Sequence, residues 1–163
     1  MAISTVVKSK RDGTLTFSDN LANSLTVEYE AGDFSVSIPG PGVLDALDRG
    51  RMVGALRYTD DAPCTATFTA YLRDISDPAW ATLSEILLQT GEVGTSWEST
   101  MGPDGEVFTL DLLWTVAGVV HGDAADHTLG LEKCVVTGSL AEGDPNTISI
   151  SITSYALYPT SVT

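Results

Sequence analysis

The stretch CTATFTAYLRD, Cys64 to Asp74, alternates without a slip: Cys64, Ala66, Phe68, Ala70 and Leu72 oppose Thr65, Thr67, Thr69, Tyr71 and Arg73. Successive side chains of a strand point to opposite faces, so a period of two reads as a half-buried β-strand. Its inner face is small and apolar, its outer face hydroxyl-rich. The same rule works outward in both directions. GTLTFS (13–18) and SLTVEYE (24–30) alternate around a DNLAN turn, and DFSVSI (33–38) sets Phe34, Val36 and Ile38 against Ser35 and Ser37. PGPG (39–42) stops that strand, because proline donates nothing to a ladder. VLDALDRG (43–50) is short and mixed; its spacing predicts a helical turn inside an extended loop over 39–50. RMVGALRY (51–58) reads as a further strand.

Downstream, VFTLDLLWTVAG (107–118) places Phe108, Leu110, Leu112, Trp114 and Val116 on one face with Asp111 opposite. HTLGLEKCVVTGSL (127–140) and NTISISITSYAL (146–157), joined across AEGDP, supply a closing pair. The total is about eight strands with no βαβ alternation, which predicts a mainly β protein: an antiparallel sandwich or barrel.

One segment breaks the pattern. SDPAWATLSEILLQTG (76–91) predicts the single flanking α-helix, with Asp77 as N-cap, Pro78 in the first turn and Gly91 as the stop. Trp80, Leu83 and Leu87, with Ile86 beside them, form its packing face. So short a helix is marginal alone and must dock on the sheet.

Length and composition narrow the function classes. At 163 residues the chain is expected to be one domain, with residues 1–12 as an arm before the first strand. The apolar start is too short for a signal peptide, and no run approaches the length of a membrane helix, so a soluble, unexported chain is expected. Cys64 and Cys134 each fall within a strand-like run and read as free, buried thiols. Net charge is −14, unevenly spread: residues 1–73 carry seven basic and nine acidic side chains, and residues 74–163 only Lys133 against thirteen acidic. Gripping nucleic acid takes Lys and Arg, so this balance argues against it.

The search for chemistry returns little. HGDAADH gathers His121, Asp123, Asp126 and His127, but a Gly/Ala/Asp loop without zinc or calcium spacing reads as a solvated turn. No G-x-S-x-G elbow occurs, and PGPG puts prolines where a phosphate loop needs amides. Acidic pairs such as Asp60 and Asp61 read as turn or cap residues. The expectation is a protein that is no enzyme and has neither metal nor cofactor.

DRGRMVGALRYTDDAPCTATFTAYLRD, Asp48 to Asp74, resembles a stretch of the tail tube (major tail) proteins of long-tailed bacteriophages. There a loop ends in Arg-Gly, a strand runs to an Arg, and an acidic pair before a Pro introduces a long strand. DGTLTFSDNLANSLTVEYEAGDFSV and HTLGLEKCVVTGSLAEGDPNTISISITSY suit the same family, so the resemblance spans most of the chain. It implies a structural virion protein that assembles into six-membered rings stacked as a hollow tube, the conduit for DNA ejection. Inner sheets of neighbours would join around the lumen, while loops and arms reach the next ring. Implied partners are further copies of itself, a tape measure protein, and tail terminator and tip proteins. DNA would pass through without being held. The implied location is the virion tail, after assembly in the host cytoplasm. A ligand-binding sandwich of carbohydrate or adhesin type is the alternative from another class; a tail terminator or a capsid decoration protein is the alternative within the virion.

On that reading Val43, Leu44 and Leu47 contact another subunit, since the loop is oddly apolar for a solvated connection. At least one of Arg49, Arg51, Arg57 and Arg73 crosses a subunit boundary to the acidic half, and Lys8, Lys10 and Arg11 lie on an arm against a neighbour. Glu28, Glu30 and Asp111 are candidate lumen residues, because carboxylates repel DNA at close range.

Overall fold

The computed structural model describes residues 13–19, 21–27, 29, 33–40, 43–48, 51–58, 62–71, 82–102, 107–121, 124–156 and 160–162, of which 43–48, 51–58, 120, 121 and 160–162 by backbone alone. Among the described residues ten strands are present: β1 Thr14–Ser18, β2 Ser24–Val27, β3 Ser35–Ser37, β4 Val43–Asp48, β5 Arg51–Tyr58, β6 Cys64–Tyr71, β7 Leu110–Val116, β8 His127–Ala141, β9 Thr147–Ser154 and β10 Thr160–Val162. Eight form one antiparallel sheet, ordered β2-β1-β7-β8-β9-β6-β3 with β10 on β8; β4 and β5 form a separate hairpin. A bridge between Tyr29 and Ala70 links the chain leaving β2 to β6, so the large sheet comes round on itself. The expected mainly β, antiparallel barrel-like fold is what the chain adopts.

Register explains the core. Across β6 and β9 the inward rows are Ala66–Ile152, Phe68–Ile150 and Ala70–Ile148; on β8 they continue through half-buried Val136 to Gly138 and Leu140, which are exposed. From the other half Leu15, Phe17, Leu110, Leu112 and Leu131 come in, all fully buried. Each such side chain stabilises the fold by about 1.5–3 kcal/mol relative to exposure. Aromatic rings close one end: Phe34 stacks on Trp114 at 5.8 Å, and Tyr29 meets Phe34 and Phe68 edge-on at 6.2 Å each. Both cysteines are free and buried, as the alternation predicted.

Strand β8 serves two neighbourhoods. Its first half pairs with β7 on one side and β10 on the other, and Cys134–Ala141 pairs with β9. The change comes at a bulge: Lys133 takes φ 52°, its N–H donates to Asp111 Oδ1 at 2.9 Å, and the β7 register slips between Leu110 and Leu112.

Two expectations need correction. Residues 43–48 form strand β4, not a helical turn. The apolar spacing of Val43, Leu44 and Leu47 fits a helix, but pairing with Arg51–Tyr58 decides the conformation, as tertiary context does for short ambiguous runs. The helical segment is also shorter and split. α1 is Leu83–Leu88, opened by Thr82: its hydroxyl accepts the Glu85 N–H while Glu85 Oε2 accepts the Thr82 N–H, a reciprocal capping box. Gln89 at φ 52° ends it, and Gly91, expected as the stop, begins a second helix, α2, Gly91–Ser96. Asp77, Pro78 and Trp80 lie outside the described residues. Leu83 and Leu87 do pack against the core, with Ile86 fully buried between them.

Candidate functional site

The outward rows of β3, β6, β9 and β8 make the most distinctive surface. They read Ser37–Thr65–Thr153–Val135, Ser35–Thr67–Ser151–Thr137, Thr69–Ser149–Ser139 and Tyr71–Thr147–Ala141. No described position of this wall carries a charge, in a chain of net charge −14. A shallow depression of about 290 Å³ lies on it, lined by Thr67, Thr69, Ser139, Ser149 and Ser151, with Asp33 at its rim. Thr137 Oγ1 donates to the Ser151 carbonyl at 3.1 Å, fixing one hydroxyl across the ladder.

The wall ends in two edges. On one side is β3, three residues long. On the other, among the described residues, no strand pairs with Val135–Ala141 opposite β9, because β7 leaves β8 at Cys134. An unpaired edge offers a ladder of donors and acceptors to another chain.

Beside that edge α1 rests on β8, admitted by Gly138. A Cβ there would lie 2.5 Å from the Ser149 carbonyl oxygen and 3.2 Å from Leu87 Cδ1. Ser84, Leu87, Leu88, Val136 and Leu140 line a groove of about 320 Å³ between helix and strand.

One carboxylate and one thiol away from the wall are shifted by their surroundings. Asp19 is buried in the β1–β2 turn, where Oδ1 accepts the Leu21 and Asn23 N–H groups at 2.9 and 3.1 Å. Its Oδ2 accepts from Asn23 Nδ2 at 2.7 Å and from the Glu98 N–H at 3.4 Å, tying the turn to the chain after α2. Burial by itself would raise the Asp19 pKa; the four hydrogen bonds outweigh it and hold the carboxyl below its ordinary value. The Cys134 thiol goes the other way: burial first, then the Asp111 charge, push it up to about 12, despite opposing hydrogen bonds.

The residues singled out from sequence fall in three groups. Val43, Leu44, Leu47, Arg51 and Arg57 come together on the β4–β5 hairpin, where Leu44 pairs with Arg57 and Leu47 with Met52. Asp111 stands on β7, half-buried, its carboxylate engaged by the Lys133 backbone. Lys8, Lys10, Arg11, Glu28, Glu30, Arg49 and Arg73 lie outside the described residues. In the HGDAADH segment Asp126 Oδ1 accepts the Gly118 N–H at 2.9 Å, and no cluster of three His, Cys, Asp or Glu among the described residues could hold a metal. None of the described helices is long and apolar enough to cross a membrane. Sequence reading found the hydroxyl rows but not the unpaired edge or the groove, which exist only once β7 and α1 are placed.

No family model and no curated protein matches this sequence. Solved structures do. A chain in the anti-feeding prophage baseplate shares the fold with TM-score 0.57 and 11% identity over 97% of both chains. A chain in the sheath/tube terminator of an extracellular contractile injection system, PVC, matches with TM-score 0.56 and 11% identity, over 98% of this chain and 99% of that one. A third, in the sheath–tube complex of the same system, matches with TM-score 0.51 and 10% identity, over 93% and 90%. At such identity the likeness is one of fold, end to end.

Proposed function

We propose that this protein is a structural subunit of a phage tail or tail-like tube, assembling as six-membered rings that stack around a hollow lumen, and that it catalyses nothing. The observation that carries this reading is the uncharged four-strand wall with an edge that no described strand pairs. Neighbouring strands in β8-β9-β6-β3 are all antiparallel. With an even number per copy, β3 of one copy can meet β8 of the next and the alternation continues round a ring. Strands spaced about 4.8 Å apart make the wall about 19 Å wide, and six copies give a circumference of about 115 Å. That closes a barrel about 37 Å across, backbone to backbone, and strand tilt widens it further. Such a bore admits a DNA duplex.

In this arrangement hydroxyls line the lumen and offer the phosphates no cation to bind. Asp111 lies on β7, outside the four strands of this wall. The full-length match to chains in a baseplate, a terminator and a sheath–tube complex supports an assembly of this kind. Two of those three structures also favour a second reading, a terminator or baseplate ring that caps a tube instead of repeating along it. On either reading the protein works in the virion or particle tail, beside tape measure and tip proteins, after assembly in the host cytoplasm. Size-exclusion chromatography with light scattering tests it: a hexamer or larger polymer is expected, and a monomer at every accessible concentration would refute it. A single discrete ring that never extends would favour the terminator.

A further inference from the structure

The β7–β8 ladder stops three residues short of the alternation that encodes it. Val107, Phe108 and Thr109 continue the period of two that runs into Leu110–Val116, yet β7 begins at Leu110. Past the bulge the register sets Leu110 beside Cys134. Carried three residues further, it sets Thr109 beside Val135, Phe108 beside Val136 and Val107 beside Thr137. That stretch of β8 is the edge that no described strand covers. The faces match as well: Phe108 and Val136 are both half-buried against the core, and Val107 and Thr137 are both exposed. The extension needs no register slip, so it turns no apolar side chain to the wrong face.

Residues 107–109 are already anchored on their far side. The Thr109 carbonyl accepts the Thr100 N–H at 2.9 Å, the Thr109 N–H donates to Ser99 Oγ at 3.1 Å, and Ser99 Oγ donates to the Val107 carbonyl at 3.4 Å. Phe108, between them, has no hydrogen-bond partner among the described residues for its N–H or its carbonyl. There is also room beside the edge. The groove of about 320 Å³ between α1 and β8 is lined by Val136 and Thr137, the neighbours that Phe108 and Val107 would acquire.

We propose that residues 107–109 are a strap, open in this structure, that closes by extending β7 along Val135–Thr137 and so covers the β8 edge of the free subunit. An uncovered edge invites pairing with any chain, and covering it suppresses that pairing. The strap brings three residues to the edge, and β3, which would replace it from a neighbouring copy, is also three residues long. Exchange therefore trades one short ladder for another, and the strap gates ring closure. The gating role, though not the strap itself, rests on the tube-subunit reading.

A chain carrying both Val107→Cys and Thr137→Cys tests the strap. Partners across an antiparallel ladder have Cα atoms about 4.5 or 5.5 Å apart, within the reach of a disulfide. Both positions are exposed, and the native thiols are buried. The control carries Val107→Cys with Ser139→Cys, about 7 Å further along the strand. Under mild oxidation of dilute protein, the 107–137 pair should give a cross-link of monomer mass at least tenfold more abundant than the control pair. The linked chain should assemble only after reduction. No link, or equal linking of both pairs, would overturn the strap, and a linked chain that assembles as fast as the reduced one would overturn its gating role. If the wild type never assembles, the tube reading falls while the two cysteine pairs still decide whether the strap closes.

Discussion

Replacing Gly138 with alanine tests how closely β8 and β9 pack at this position. The added Cβ would stand 2.5 Å from the Ser149 carbonyl oxygen, 3.1 Å from Ile150 Cδ1 and 3.2 Å from Leu87 Cδ1. The last two atoms end flexible side chains and can yield by a few tenths of an ångström. The first is backbone, held by the β8–β9 ladder, and moves only if the strands part or β8 twists locally. Overpacking of this kind costs about 1–3 kcal/mol. For a chain of this size each kcal/mol lowers Tm by about 2–4 °C, so a cost of about 2 kcal/mol lowers it by about 4–8 °C. Thermal melts and urea midpoints of Gly138→Ala give the number, and Gly40→Ala is the control, because nothing lies within 4 Å of its added Cβ. The control should stay within about 0.5 kcal/mol of wild type. A Gly138→Ala protein as stable as the control would show that β9 does not hold the Ser149 carbonyl against Gly138 as described.

Asp19→Asn should cost about 1–3 kcal/mol at neutral pH, since it weakens four hydrogen bonds to a buried acceptor. Because the folded pKa of Asp19 lies below its ordinary value of 3.8, its contribution is complete above that pH and is lost as pH falls through the folded pKa. Urea midpoints followed into acid should therefore decline less steeply for Asp19→Asn than for wild type; parallel slopes would contradict the assignment. The Cys134 thiol, at about 12, should resist alkylation at pH 8 in the folded protein and react once urea unfolds it, as mass spectrometry would record. Assembled wild-type protein should not retain duplex DNA at moderate ionic strength, whereas Thr67→Arg with Ser151→Arg should bring salt-sensitive retention. Equal behaviour of the two in a co-sedimentation assay would remove the wall from the lumen.

The long strands were legible because one of their faces is buried. Cys64–Tyr71 and Thr147–Ser154 alternate cleanly, and a register slip of one residue would turn Phe68 and Ile150 to solvent. Sequence misread the segments whose conformation depends on a distant partner. Residues 43–48 are a strand only because 51–58 lie beside them, and β10 is three residues whose one visible reason is the β8 edge. The helix break was hidden in Gln89, a residue with no strong left-handed preference, while the obvious glycine two positions later starts the next helix. Of the candidate site, the hydroxyl rows could be read from period two. The unpaired edge of β8 could not: it arises because β7 stops at a bulge that Asp111 and Lys133 build 22 residues apart.

End-on negative-stain views of the concentrated protein test the central claim most directly. The account predicts rings with sixfold symmetry and a stain-filled centre, and side views of stacked rings. Monodisperse particles of single-chain size, or rings with no open centre, would contradict it.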